Sequence, residues 1–245
     1  MATVRHLRNA PVVEAVIEIQ VAASAAAAEI FKGDGLSIGD EYPDRTVQVT
    51  NNFEIGLAPG ETKAMMSTSK PTGYRFKSTD GTRLVDFQHS AFAFHRLKPY
   101  TNWEQVREEA CGLWRKYLEY AQPTVVTRVG VRYVNRLSLP MSEDMSDYLV
   151  PGPIVPQGLP QSVQAFLSRI EIADEANGRT GVITQAFEGV TDNGELVYLL
   201  DIDAIRMGAL DPQDELVWVT ADKLRDFKNE MFFKSVTDSL LRKYE

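Results

Sequence analysis

Three arginines on one stretch are the residues best placed to do chemistry. Val126–Pro140 reads VTRVGVRYVNRLSLP, with Arg128, Arg132 and Arg136 four residues apart. On a strand, Val126, Arg128, Gly130, Arg132, Val134 and Arg136 share one face, and Val129, Val131, Tyr133 and Leu137 share the other. Neighbouring arginines then stand about 13 Å apart, four residues at roughly 3.3 Å each. That is too far for one phosphate to bridge two guanidiniums unless the side chains converge. An extended anion, a phosphodiester or an acidic peptide fits such a face. Internal pairing with Glu14 and Glu18 of the first strand is the preferred reading, if the two strands meet. The candidate ligand-binding set is Arg128, Arg132, Arg136, Glu14 and Glu18. Gly130 reads as a close approach or a bulge.

The remaining polar residues carry less. Asp201 and Asp203 share a strand face about 7 Å apart, with Glu195 further back, and nothing nearby supplies a third ligand for Mg²⁺ or Mn²⁺. No metal site is assigned. Asp86, His89 and Ser90 lie close in sequence, but a catalytic triad requires convergence in space. His95 belongs to an alternating aromatic run. Cys111, the only cysteine, lies within a helical pattern and reads as a packing residue. The chain has no GxGxxG, Walker A, HExxH or GxSxG pattern, and APGETKA (58–64) lacks the glycine spacing of a phosphate loop. Hydrolysis of a nucleotide by a P-loop is excluded, and no catalytic residue or cofactor is assigned.

The elements that would position these residues follow from periodicity. Pro11–Val21 alternates as a strand, and Ser24 opens an alanine-rich helix that stops at Gly33. Strands are expected at Thr46–Leu57, Gly73–Ser78, Arg83–Gln88 and Ala91–Leu97, with Met65–Thr68 too short to assign. Asp80-Gly81 marks a hairpin turn. Thr101 and Glu104 have the spacing of a capping box, which starts a helix that runs to about Tyr120. After the Arg-rich strand come a helical segment at 143–149, a proline-rich loop at 151–160, and strands at Arg169–Ile172, Thr180–Val190 and Glu195–Ile205. An amphipathic helix from Ala221 to Tyr244 closes the chain.

The fold class is α+β: a two-layer antiparallel sheet with long amphipathic helices on one side. Residues 1–122 and 123–245 follow one grammar, β-α-β(3-4)-α. They form either two similar lobes, packed as one compact unit, or one continuous curved sheet.

Asn9–Val21, Tyr100–Tyr117, Val126–Pro140 and Leu224–Tyr244 together resemble the TIGR04255 family of sporadically distributed bacterial proteins. The resemblance spans nearly the whole chain in order. It implies the family's fold throughout and brings no agreed catalytic set with it.

Lys and Arg number 26 against 34 Asp and Glu, a formal charge of −8 over 245 residues. That balance disfavours nucleic acid as a partner, though it leaves room for a local basic groove. No run of about 18 apolar residues is present, so no membrane partner and a cytoplasmic location are expected. The reading is a non-enzymatic binding or regulatory protein acting through protein–protein contacts, as a homodimer with a further protein partner. The alternative is an enzyme or binder that takes an anionic or phosphodiester substrate on the arginine face.

Overall fold

β1 (Val12–Val21) alternates buried Ala15, Ile17 and Ile19 with half-buried Glu14, Glu18 and Gln20, so one face is dry and the other wet. The computed structural model describes residues 2, 5, 7–23, 36–54, 66–140, 145–150, 154–161 and 163–245. Four more strands follow β1 in the first half: β2 (Asp44–Glu54), β3 (Met66–Lys77), β4 (Arg83–Gln88) and β5 (Ala91–Leu97). Helix α1 (Trp103–Ala121) then leads to β6 (Val126–Pro140), β7 (Leu167–Asp174), β8 (Arg179–Val190) and β9 (Glu195–Leu210). Helix α2 (Leu216–Ser235) and the short α3 (Asp238–Leu241) end the chain.

The nine strands of the described residues form one antiparallel sheet in the order β2-β3-β4-β5-β1-β6-β9-β8-β7. β1 and β6 are neighbours at its centre, with Val16 opposite Arg132 and Glu18 opposite Gly130. Of the two arrangements expected, the single continuous sheet is the one formed. Gly81 and Gly194 turn two of its hairpins at φ of 69° and 78°, where a side chain would be strained.

Both long helices cover the same face. Trp114 and Tyr117 of α1 pack on Phe92 with ring centroids 5.5 and 5.8 Å away. Phe227 and Met231 of α2 lie over Gly181 of β8. Trp103 Nε1 donates to Asp222 Oδ1 at 2.8 Å and so ties the start of α1 to α2. No helix among the described residues is long and apolar enough to cross a membrane.

Several boundaries differ from the sequence reading. Asn102, not Thr101, caps α1, accepting from Gln105 N at 2.9 Å. β3 joins the two short runs read on either side of residue 70. The last helix begins at Leu216 and breaks at Val236, whose extended backbone (φ −130°, ψ 167°) bridges to Leu149. Thr237 then caps α3 by accepting from Leu240 N. The alanine-rich helix expected at 24–33 and APGETKA lie outside the described residues.

Candidate functional site

The uncovered face of the sheet gathers the charged residues. Its middle is low because residues there are small: Ala91 and Ala93 on β5 and, on the other side of Glu18, Gly130 on β6. Ala93 pairs with both Asp86 and Glu18, and Glu18 pairs with Gly130. A depression of about 260 Å³ results, walled by Glu18, Asp86, His95, Arg132 and Asp203. Gly130 sits in an unbroken register, so it is not a bulge. A Cβ there would lie 3.0 Å from Arg128 Nη1; the glycine lets that guanidinium fold back across its own strand.

Every arginine of β6 meets a carboxylate. Arg128 reaches Glu18 Oε2 and Asp203 Oδ2, each at 3.1 Å. Arg132 holds Asp201 with two parallel bonds, at 2.8 and 2.6 Å. Arg136 donates to Glu188 Oε2 at 2.7 Å. The pairing expected with β1 is thus present for Arg128 and Glu18. The other two arginines instead find partners on β9 and β8, which register brings alongside β6 and β9.

A second cluster lies across β1. Arg75 of β3 grips Asp86 of β4 through two bonds, at 2.7 and 2.6 Å. His95 Nδ1 is 2.8 Å from Glu14 Oε1, and its Nε2 is 3.3 Å from Asp86 Oδ2, too poorly angled for a hydrogen bond. Arg75, Asp86 and His95 were absent from the candidate set. The alternation of β5, which turns Phe92 and Phe94 inward and His95 outward, was the one signal that pointed to them.

The electrostatics follow from these contacts. Burial pushes His95 down, but Asp86 and Glu14 outweigh it and hold the imidazole above its ordinary value. Burial pushes Asp86 up, yet Arg75 and His95 pull it down to about 2. His95 also lowers Glu14, with a smaller pull from Arg132. Asp203 is the exception: burial, helped by the charges of Glu18 and Asp201, raises it to about 6 against the opposing pull of Arg128 and Arg132. With His95 protonated, Arg75, His95, Arg128 and Arg132 face Glu14, Glu18, Asp86, Asp201 and Asp203, four cations against five carboxylates. The face is close to neutral and carries both signs.

Among the described residues, no group of three or more His, Cys, Asp or Glu side chains is placed to hold a metal ion. Asp201 and Asp203 point their oxygens at arginines. Cys111 is half-buried on α1. The fold and the site together define a class: an antiparallel α+β protein with one helix-covered face and one open, charge-paired face. No protein-family model and no curated protein matches the chain.

Proposed function

We propose that this is a non-enzymatic binding protein that uses the open sheet face to hold another protein. The observation that carries the reading is the pairing of Arg128, Arg132 and Arg136 with carboxylates of the sheet itself. A polyanion gains its affinity by neutralising free cations, and these are already neutralised. A protein surface of mixed charge can exchange partners with such pairs one for one, and that pattern favours specificity over raw affinity. The same contacts occupy the groups a hydrolytic mechanism would need free.

The halves 1–122 and 123–245 are read as two copies of one unit. Their strand orders, 2-3-4-5-1 and 6-9-8-7, each run outward from a first strand at the centre. A homodimer is part of the proposal. Edge strand β7 exposes Leu167, Ile170 and Ile172, which pairing with a second copy would cover.

The test is affinity capture from the producing cells, comparing the wild type with the charge swap Arg132→Asp plus Asp201→Arg. The swap preserves the net charge and the pair while reversing the pattern. A stoichiometric protein held by the wild type and lost by the swap, with both proteins equally folded, is the expected result. Retention by the swap, or nucleic acid as the captured species, overturns the reading.

A further inference from the structure

The opposite side of the sheet holds a buried amine that, among the described residues, meets an aromatic ring and no hydrogen-bond acceptor. Lys228 of α2 is 7% exposed, and its Nζ lies 3.6 Å from the centre of the Tyr133 ring. Among the described residues, no hydrogen-bond acceptor serves it. It lines a cavity of about 510 Å³ between the start of α1, α2, the start of β1 and the middle of β6. That volume lies in the range of about 300–1,000 Å³ typical of sites for small organic molecules.

The walls divide by chemistry. Val12, Trp103, Phe232 and Phe233 supply apolar surface. Tyr100 and Tyr133 bring their hydroxyls together at 3.1 Å; one must donate to the other, which leaves the second free to donate outward. The other two cations of the cavity are engaged: Arg5 with Asp238 and Glu245, Arg225 with Asp226. Among the described residues Lys228 is thus the one cation of the cavity without a carboxylate partner, and a buried ammonium without an acceptor is costly.

We propose that this cavity binds a small organic carboxylate with an apolar body. Its oxygens accept hydrogen bonds from Lys228 Nζ and from the Tyr100–Tyr133 hydroxyl pair. A single unmatched cation suits a monoanion, and Glu104 at the wall disfavours a dianion. This site is independent of the open-face reading, since it lies on the helix side of the sheet.

The titration of Lys228 agrees with that geometry. Burial, with a smaller push from Arg225, brings it down to about 7. The other groups facing the cavity are Arg5, Glu104 on α1, and the phenols of Tyr100 and Tyr133, both raised by burial and so neutral. A bound carboxylate favours the ammonium, so binding takes up a proton above neutral pH.

Calorimetry with sodium octanoate tests the site, using the full chain near pH 8 in two buffers of different ionisation enthalpy. Octanoate is expected to bind about tenfold more tightly than 1-octanol, with proton uptake, and Lys228→Met to weaken it about tenfold. Lys228→Met keeps the stem and removes the charge, so its melting temperature should equal or exceed that of the wild type. If it does not fold, Tyr100→Phe takes its place: octanoate binding falls and octanol binding does not. Absence of octanoate binding at millimolar concentration overturns the proposal. So does equal octanoate affinity in folded Lys228→Met, or, if that variant is unfolded, in Tyr100→Phe. A preference for octyl phosphate over octanoate overturns it as well.

Discussion

His95 Nδ1 stands 2.8 Å from Glu14 Oε1, a diagonal contact between the neighbouring strands β5 and β1, the last and first strands of the first half in chain order. Asp86 flanks the same ring from β4. The hairpin of β4 and β5 and the sequence-distant β1 therefore share one protonation equilibrium.

Stability should fall as pH rises through this network. His95 has a raised folded pKa, so its contribution is complete below the unfolded value of about 6.5 and is lost as pH climbs through the folded value. Asp203, raised to about 6, acts in the same direction: its contribution is complete below about 3.9 and lost as pH rises through 6. Asp86 and Glu14 are lowered, and their contributions fade only in acid, around pH 2 for Asp86. Urea unfolding of the wild type and Asp203→Asn checks this. The wild type should lose about 2 kcal/mol relative to the variant between roughly pH 4.5 and 7.5. A flat difference contradicts the burial of Asp203.

The pair formed by Arg132 and Asp201 should show measurable coupling. Its geometry is bidentate, but the arginine side chain is 49% exposed, which limits its strength. A double-mutant cycle with Arg132→Ala and Asp201→Asn is expected to give about 1 kcal/mol. Coupling indistinguishable from zero would mean the pair is not formed in solution.

Two glycines should respond very differently to alanine. At Gly73 a Cβ would lie 2.1 Å from Phe87 O, which is backbone of the adjacent strand and cannot move aside. At Gly181 the nearest atom is Met231 Sδ at 2.4 Å, the end of a flexible side chain. Gly181→Ala should cost about 1–2 kcal/mol and Gly73→Ala more than about 3 kcal/mol, or prevent folding. Denaturant midpoints of the two variants decide the order.

These contrasts show what the sequence carried and what it did not. The alternation of β1 and β6 was enough to put Glu18 and Arg128 on the same face, and two halves meeting at their first strands brought them together. Arg132 and Asp201 were each noticed, but for separate reasons, because their contact depends on β9 lying beside β6 and no local signal encodes strand order. His95 was legible as an outward residue, whereas its partners Asp86 and Glu14 come from strands on either side. Lys228 sat in plain view within the apolar period of Leu224, Phe227 and Met231. A charged residue on the inner face of a helix was the available sign of a cavity. The start of α2 was missed because its capping residue, Glu215, makes no side-chain hydrogen bond to the helix.

Tyr117 ties α1 to the sheet by donating from its hydroxyl to Gln88 O at 2.9 Å. Tyr117→Phe leaves that half-buried carbonyl one bond short and should cost about 1 kcal/mol, while the ring packing against Phe87 and Phe92 survives. Thermal unfolding followed by near-ultraviolet circular dichroism measures the first and reports the second.

The central claim is that the arginines of the open face are spent on the protein's own carboxylates. Fluorescence anisotropy with a labelled single-stranded oligonucleotide at low salt tests it most directly. The wild type should show no binding up to about 100 μM, and Asp201→Asn combined with Asp203→Asn and Glu18→Gln, which frees Arg132 and Arg128, should bind with a steep salt dependence. Micromolar binding by the wild type, with a log–log salt slope that reports several phosphates, would contradict the account.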